Sequence, residues 1–150
     1  MDEPIYPYKK SLDILTFDFE SIGPNGLSKK KIVYSSLEDV SELYNLSLFE
    51  VLEDGTLDIY FESKNQDLPR IMATIVSTIF EFFKRYPDKK VVFTGSTPER
   101  TRLCGIVIRK LFEQTKDQFN IEGITENGKF EYFSPNQIYF AYVVSQKKII

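Results

Sequence analysis

The chain has 150 residues and a formal net charge of −3, with 42% hydrophobic and 27% charged residues. This size and balance are those of a soluble globular protein, so the disordered and membrane-embedded classes are excluded and a single domain over residues 1–150 is expected. Because the chain has no histidine, Ser-His-Asp and Cys-His nucleophilic catalysis and histidine-ligated zinc sites are excluded as well.

Three Asn-Gly or Asp-Gly pairs stand between runs of aromatic and β-branched residues. This arrangement is the strongest short-range signal for β-hairpins. The predicted hairpins join residues 15–20 to 31–35 through Asn25-Gly26, residues 44–52 to 57–62 through Asp54-Gly55, and residues 119–125 to 130–133 through Asn127-Gly128. A last strand, 138–144, is apolar on both faces and is therefore expected to be central in its sheet.

Two helices are predicted between these hairpins. Apolar residues recur at helical spacing over 69–85, where Asp67 and Pro69 favour a start and Pro87 an end. The second helix is predicted over 98–116, and a short buried strand over 90–94 separates the two. The fold class predicted from these elements is α+β: a mixed, mostly antiparallel sheet of seven or eight strands with two helices packed on it as a two-layer sandwich.

The segment from Gly95 to Arg102 combines a strand end, a glycine, two hydroxyl residues and two arginines at the start of the second helix. A helix N-terminus presents unpaired N–H groups and a partial positive charge, which suit an anion. We therefore predict that Gly95, Ser96, Thr97, Arg100 and Arg102 bind an anionic group, with the two arginines as charge donors.

A structural interpretation of the same residues is open. Ser96 and Glu99 have the spacing of a capping box, and Gly95 can simply relieve a tight turn. On this interpretation Arg100 pairs with a carboxylate of the sheet, such as Glu62 or Glu20. Neither of the common phosphate-binding glycine signatures is present.

Other residues give weaker indications. Lys29-Lys30-Lys31 could join the arginines of the second helix in a groove for single-stranded RNA. Because the net charge of the chain is negative, we predict instead that these lysines are solvated and that the chain has no nucleic-acid partner. The carboxylates form no recognisable metal-binding loop, so neither a metal nor a cofactor is predicted. Cys104, the only cysteine, is predicted to be buried and inert.

The chain resembles a bacterial family of unknown function, of about 150 residues, seen largely among Bacteroidota. The resemblance is carried by Tyr6-Pro7-Tyr8, Gly23-Pro24-Asn25-Gly26, Tyr44-Asn45-Leu46, Ala73-Thr74 and, as the most specific element, Gly95-Ser96-Thr97 followed by Arg100-Thr101-Arg102. It implies a stand-alone bacterial domain and no particular activity.

The function predicted from the sequence is that of a small cytoplasmic bacterial protein that binds a phosphate-bearing or otherwise anionic ligand after Gly95. The cytoplasmic expectation comes from the single cysteine and from an acidic N-terminus without the layout of a signal peptide. No membrane partner is expected, and whether the chain is an enzyme is left open. The alternative is a protein-interaction module, such as one member of a small operon-encoded pair of the toxin-antitoxin kind, in which the arginines are structural and Tyr44, Tyr132 and Tyr139 meet a protein partner.

Overall fold

A computed structural model describes residues 4–37, 40–58, 67–94, 98–115, 117–137 and 139–147, and for residues 40, 41, 98–101 and 103 it describes the backbone alone. Within these ranges the chain forms two helices and nine strands, so the fold class is α+β, as predicted. The hydrogen-bonded strand order is β1-β2-β3-β4-β6-β9-β7-β8, with the short β5 paired to β4. The chain groups into two compact units, Met1–Ser35 with Ser47–Arg85 and Ser36–Leu46 with Tyr86–Ile150.

The first unit contains an antiparallel set of strands and the first helix. Its elements are β1 (Tyr8–Lys10), β2 (Thr16–Gly23), most of β3 (Gly26–Leu37), the end of β4 (Val40–Val51), β5 (Leu57–Asp58) and α1 (Leu68–Arg85). The first predicted hairpin is confirmed, because β2 and β3 pair in register from Thr16↔Val33 to Gly23↔Gly26. Gly26 closes the turn at φ 90°, a conformation that glycine adopts without steric cost.

Helix α1 covers one face of these strands. Its buried side includes Ile75, Ile79 and Phe82, and the Phe82 ring stacks on Tyr34 of β3 with centroids 4.6 Å apart. Along β2 the residues alternate between buried and exposed, with Phe17 buried at 0% exposure. The opposite face of β2 and β3 therefore carries the exposed side chains, which is the alternation expected of a sheet with one packed face.

The second unit contains β6 (Lys90–Thr94), α2 (Pro98–Thr115), β7 (Phe119–Ile124), β8 (Phe130–Tyr132), β9 (Ala141–Gln146) and the start of β4. Strand β9 lies between β6 and β7 and is antiparallel to both, so its predicted central position is confirmed. Helix α2 packs on β6 and β7. Cys104 lies on its buried side at 5% exposure, as predicted, and Arg109 lies on its exposed side.

Several boundaries differ from the prediction. Strand β9 starts at Ala141 rather than at 138, and β1 was not predicted because it is only three residues long. The returning arm of the second hairpin is described only at β5, since residues 59–66 lie outside the described ranges. That the whole chain is a single domain stays a prediction.

Candidate functional site

The residues predicted to bind an anion fall largely outside the described part of the chain. Gly95, Ser96 and Thr97 are not described, and of Arg100 only the backbone, within α2, is described. Arg102 is exposed on that helix. The anion site predicted at the start of α2, and the capping interpretation that competes with it, therefore stay predictions.

A different group of cationic residues lies around a cavity in the first unit. The cavity has a volume of about 740 Å³, within the range typical of small-molecule sites. Its walls come from the segment before β1, from β1 to β4 and from the start of α1. The lining residues are Tyr6, Pro7, Tyr8, Lys9, Asp18, Phe19, Glu20, Ile22, Lys29, Lys30, Lys31, Val51 and Arg70.

The exposed face of β2 and β3 brings charged side chains to this cavity. Asp18 is directly opposite Lys31 in the strand register, and Glu20 is opposite Lys29. Lys31 Nζ lies 3.1 Å from Asp18 Oδ1 and forms an ion pair with it. Lys9 of β1 is opposite Asp18 on the other side. In the described part of the chain, neither Lys9 nor Lys29 has an ion-pair partner.

Lys30 belongs to the packed face and is only 3% exposed. It occupies the register position opposite the buried Phe19. A buried ammonium group needs a counter-charge, and Glu50 of β4 supplies it, with Oε1 3.2 Å from Lys30 Nζ. Ser28 Oγ donates a hydrogen bond to the same carboxylate oxygen at 2.6 Å. Lys30 is therefore a neutralised part of the cavity wall.

Arg70, in the first turn of α1, adds a guanidinium group whose hydrogen bonds are incomplete. Its Cζ lies 3.9 Å from the centroid of the Tyr6 ring, within cation–π range. Its Nη2 donates a long hydrogen bond of 3.4 Å to the carbonyl oxygen of Ile5. The Nε–H group is buried and has no acceptor among the described residues, and an unsatisfied buried donor costs about 1–3 kcal/mol.

Tyr6 forms the fixed wall against which Arg70 rests. Its ring also stacks on Phe19, with centroids 5.5 Å apart and planes 23° from parallel. Its backbone N–H donates to Thr74 Oγ1 at 2.9 Å. Its hydroxyl donates to Asp67 Oδ2. Because the Tyr6 ring is stacked on Phe19 and Tyr6 is hydrogen-bonded at both its backbone and its hydroxyl, Arg70 rests on a fixed surface.

Asp67 connects this wall to the sheet as well. Its Oδ2 accepts hydrogen bonds from the hydroxyls of Tyr6 and Ser21, and its backbone carbonyl accepts the Ile71 N–H at 3.0 Å. Asp67 therefore fixes the start of α1 and the N-terminal segment to the same strand. The sequence indicated Asp67 only as a helix start, because its partners are 46 and 61 residues away along the chain.

The cavity is strongly positive for a chain of this net charge. Among the described residues, five cationic side chains and two carboxylates line it. Because Glu50, outside the lining, neutralises Lys30, an excess of two positive charges remains, whereas the whole chain carries −3. Tyr8, also in the lining, adds no charge, because the ordinary pKa of tyrosine is well above neutral pH. Burial raises the pKa of Tyr8 further, and the hydrogen bond to Ser77 opposes part of that rise. Such an excess of cations attracts and holds anions.

The three tyrosines predicted to form a partner surface are in unlike environments. Tyr132 is 82% exposed on β8. Tyr44 is half-buried and stacks on Tyr86. The prediction that Tyr139 is exposed was wrong: it is 1% exposed, because its ring fills the space above Gly123 and its hydroxyl donates to Glu131 Oε1 at 2.9 Å. Whether the chain has a protein partner stays a prediction.

Among the described residues, no group of three or more Cys, Asp or Glu side chains is placed to hold a metal ion. No described helix is both long enough and apolar enough to cross a bilayer.

The chain is therefore an α+β protein with a cation-lined cavity beside the antiparallel strands of its first unit. The sequence profile of a family of unknown function, DUF6934, matches residues 2–147, and the chain therefore belongs to that family. No curated protein matches the chain. No solved structure matches it either.

Proposed function

We propose that this protein binds a small anionic ligand in the cavity of its first unit. The observation that carries the proposal is the charge of the cavity: once Glu50 has neutralised Lys30, the described lining residues have an excess of two positive charges, although the net charge of the chain is −3. Arg70 supports it, because its buried Nε–H has no acceptor among the described residues. A ligand oxygen that drew the guanidinium toward it would supply the missing acceptor.

The proposed ligand is anionic, as predicted from the sequence, but the proposed site is the cavity. The segment from Gly95 to Arg102 is the alternative site, and the sequence motif supports it. The two sites use different cations, so single substitutions separate them. Lys29 is exposed, lines the cavity and makes no ion pair within the described ranges, whereas Arg102 is exposed on α2.

The test is a thermal-shift titration with inorganic phosphate at constant ionic strength. A ligand that binds only the folded state stabilises it by about 2.7 kcal/mol at one hundred times its dissociation constant, which raises Tm by roughly 5–10 °C for a protein of this size. Lys29→Gln is expected to reduce that rise at least threefold. Lys129→Gln, which removes an equally exposed lysine from the hairpin between β7 and β8, is the matched control and is expected to behave as the native chain.

The outcomes distinguish the two sites. A rise that Lys29→Gln reduces and Arg102→Gln leaves intact supports the cavity. A rise in Tm that only Arg102→Gln reduces supports anion binding at the start of α2 instead. No rise with phosphate, sulfate or citrate contradicts anion binding at either site.

The second candidate function is protein binding through β8. Phe130 and Tyr132 share one face of this strand and are 62% and 82% exposed. Strand β8 ends the hydrogen-bonded strand order, and exposed aromatic side chains on an edge strand suit a protein partner. Light scattering of the native chain and of Tyr132→Ser tests whether two copies of the chain associate through β8. A native dimer that becomes a monomer on substitution supports this candidate. A native monomer contradicts self-association through β8.

A further inference from the structure

The cavity also limits what kind of anion it can hold, an inference that rests on the proposed function. We infer that its ligand is an amphipathic dianion: a phosphate monoester whose alcohol part is apolar. Two independent observations carry this inference. The first is the charge that remains after the internal ion pairs are counted, and the second is the apolar surface that the cavity exposes beside its cations.

The ion pairs reduce the charge available to a ligand. Glu50 neutralises Lys30, and Asp18 neutralises Lys31. The remaining lining cations are Lys9, Lys29 and Arg70.

Among the described residues, Glu20 is the one lining carboxylate left against those three cations. The uncompensated charge is therefore two positive charges. A phosphate monoester, which carries between −1.5 and −2 at neutral pH, matches this charge, whereas a single carboxylate leaves about half of it unbalanced.

The apolar part of the lining indicates that the ligand is larger than a free phosphate ion. Ile22, on β2, is 60% exposed although it lines the cavity. Pro7 and Val51 add further apolar surface. A bare phosphate ion would fill only a small part of 740 Å³ and would leave this surface in water. An aliphatic chain attached to the phosphate would bury this apolar surface, and each buried methylene strengthens binding about fourfold.

The register of the sheet offers a matched pair of substitutions. Ile22 and Leu27 are directly opposite each other on β2 and β3 and are similarly exposed, at 60% and 66%. Ile22 lines the cavity, and Leu27 is not among the lining residues. Replacing either with serine removes a similar exposed aliphatic side chain, so a difference in ligand affinity between the two variants reports the cavity rather than the stability of the hairpin.

The test is titration calorimetry of the full chain with four probes: hexyl phosphate, inorganic phosphate, hexanoate and hexanol. We expect hexyl phosphate to bind at least tenfold more tightly than inorganic phosphate or hexanoate, and hexanol not to bind. Ile22→Ser is expected to weaken hexyl phosphate at least threefold and to leave inorganic phosphate unchanged. Leu27→Ser is expected to change neither, and Lys29→Gln is expected to weaken both phosphates.

The outcomes separate this inference from the proposed function. Equal affinity for hexyl phosphate and inorganic phosphate, both sensitive to Lys29→Gln, keeps anion binding and overturns the amphipathic ligand. Equal affinity for hexanoate and hexyl phosphate overturns the dianion. Absence of binding by all three anions overturns the proposed function together with the inference.

A phosphate monoester with an apolar chain can be free or can be the headgroup of a lipid. Cosedimentation with phosphatidylcholine vesicles, with and without phosphatidic acid, distinguishes these sources. Sedimentation only with phosphatidic acid, lost in Lys29→Gln, supports the lipid source. Binding of hexyl phosphate without sedimentation supports a free metabolite. Sedimentation that persists in Lys29→Gln contradicts headgroup binding in this cavity.

Discussion

Replacing Gly123 with alanine tests how closely Tyr139 packs on β7 in the second unit. A Cβ added at Gly123 would lie 2.5 Å from Tyr139 Cγ and closer still to Cδ1 and Cε1. Carbon atoms in favourable contact are about 3.5–4.0 Å apart, so the ring has to move by roughly 1 Å. The glycine in β7 is therefore required by the close approach of a neighbouring side chain.

The surroundings of Tyr139 resist that movement. Its hydroxyl accepts the Ser134 N–H at 3.0 Å and donates to Glu131, and its ring is 1% exposed. Overpacking of this kind costs typically about 1–3 kcal/mol. The entropy gained by replacing glycine in a strand offsets about 0.5–1 kcal/mol of it. An overlap of about 1 Å belongs to the upper half of the overpacking range, about 2–3 kcal/mol, so we expect Gly123→Ala to lower the free energy of unfolding by about 1–2.5 kcal/mol.

Urea denaturation measures this difference as a lower midpoint with an unchanged slope. Gly105→Ala, in α2, is the control: its Cβ would lie 3.2 Å from Tyr142 Oη and 3.8 Å from Arg109 Nη2, and the helix gains about 1 kcal/mol from alanine, so its net change is expected to stay within about 1 kcal/mol. In a Tyr139→Leu background, Gly123→Ala is expected to cost much less. A Gly123→Ala chain as stable as the native one would refute the reasoning.

Three further predictions concern single groups. Burial raises the pKa of the Cys104 thiol to about 12, so a thiol reagent at pH 8 is expected to label it only after denaturation, and rapid labelling of the folded chain would contradict its burial. Tyr34→Phe is expected to lower the free energy of unfolding by about 1 kcal/mol, because the buried Tyr34 hydroxyl pairs with Thr78 Oγ1 at 2.9 Å; unchanged stability in urea denaturation would contradict this. The hydrogen bonds from the Thr56 hydroxyl and N–H hold the pKa of Asp54 below its ordinary value. Its ionised form therefore stabilises the fold above the ordinary carboxyl pKa, and that contribution is lost as the pH falls through the lowered value. Asp54→Asn is accordingly expected to flatten the dependence of Tm on pH below about pH 4, and an unchanged slope would count against the Asp54–Thr56 bonds.

The elements that local patterns specify could be predicted from the sequence. Strand β6 has the predicted bounds, Lys90–Thr94, and α1 starts within one residue of its prediction. The Asn25-Gly26 turn predicted the β2–β3 hairpin because a positive φ at Gly26 is a local requirement. Each of these signals lies within a few residues of the feature that it predicts.

The candidate site could not be predicted because its contacts are distant in sequence. Arg70 reaches the carbonyl of Ile5 across 65 residues, and Tyr6 reaches Thr74 across 68. Lys30 illustrates the same limit. Within its lysine run it is typical of a solvated strand, yet Glu50, 20 residues away, allows it to lie in the packed face. The sequence shows the lysine run but does not indicate on which face of the sheet each lysine lies.

Tyr139 was misassigned for a related reason. The sequence predicted Tyr139 as a residue of the strand 138–144, and the protein-interaction alternative required its ring to be exposed, but the strand starts two residues later, at Ala141. The ring instead covers Gly123, which leaves room for it because it has no side chain. A glycine inside a strand often marks such a close approach, and this signal could have indicated the burial of a neighbouring aromatic ring.

The central claim is that an anion binds among the lysines of the first unit, and a ¹⁵N-resolved NMR titration with inorganic phosphate at constant ionic strength tests it most directly. The account predicts saturable shifts at the backbone amides of Lys29 and Lys31 and at the Arg70 side chain, with none at Lys129. Saturable shifts confined to residues 95–102, or no saturable shift anywhere, would contradict it.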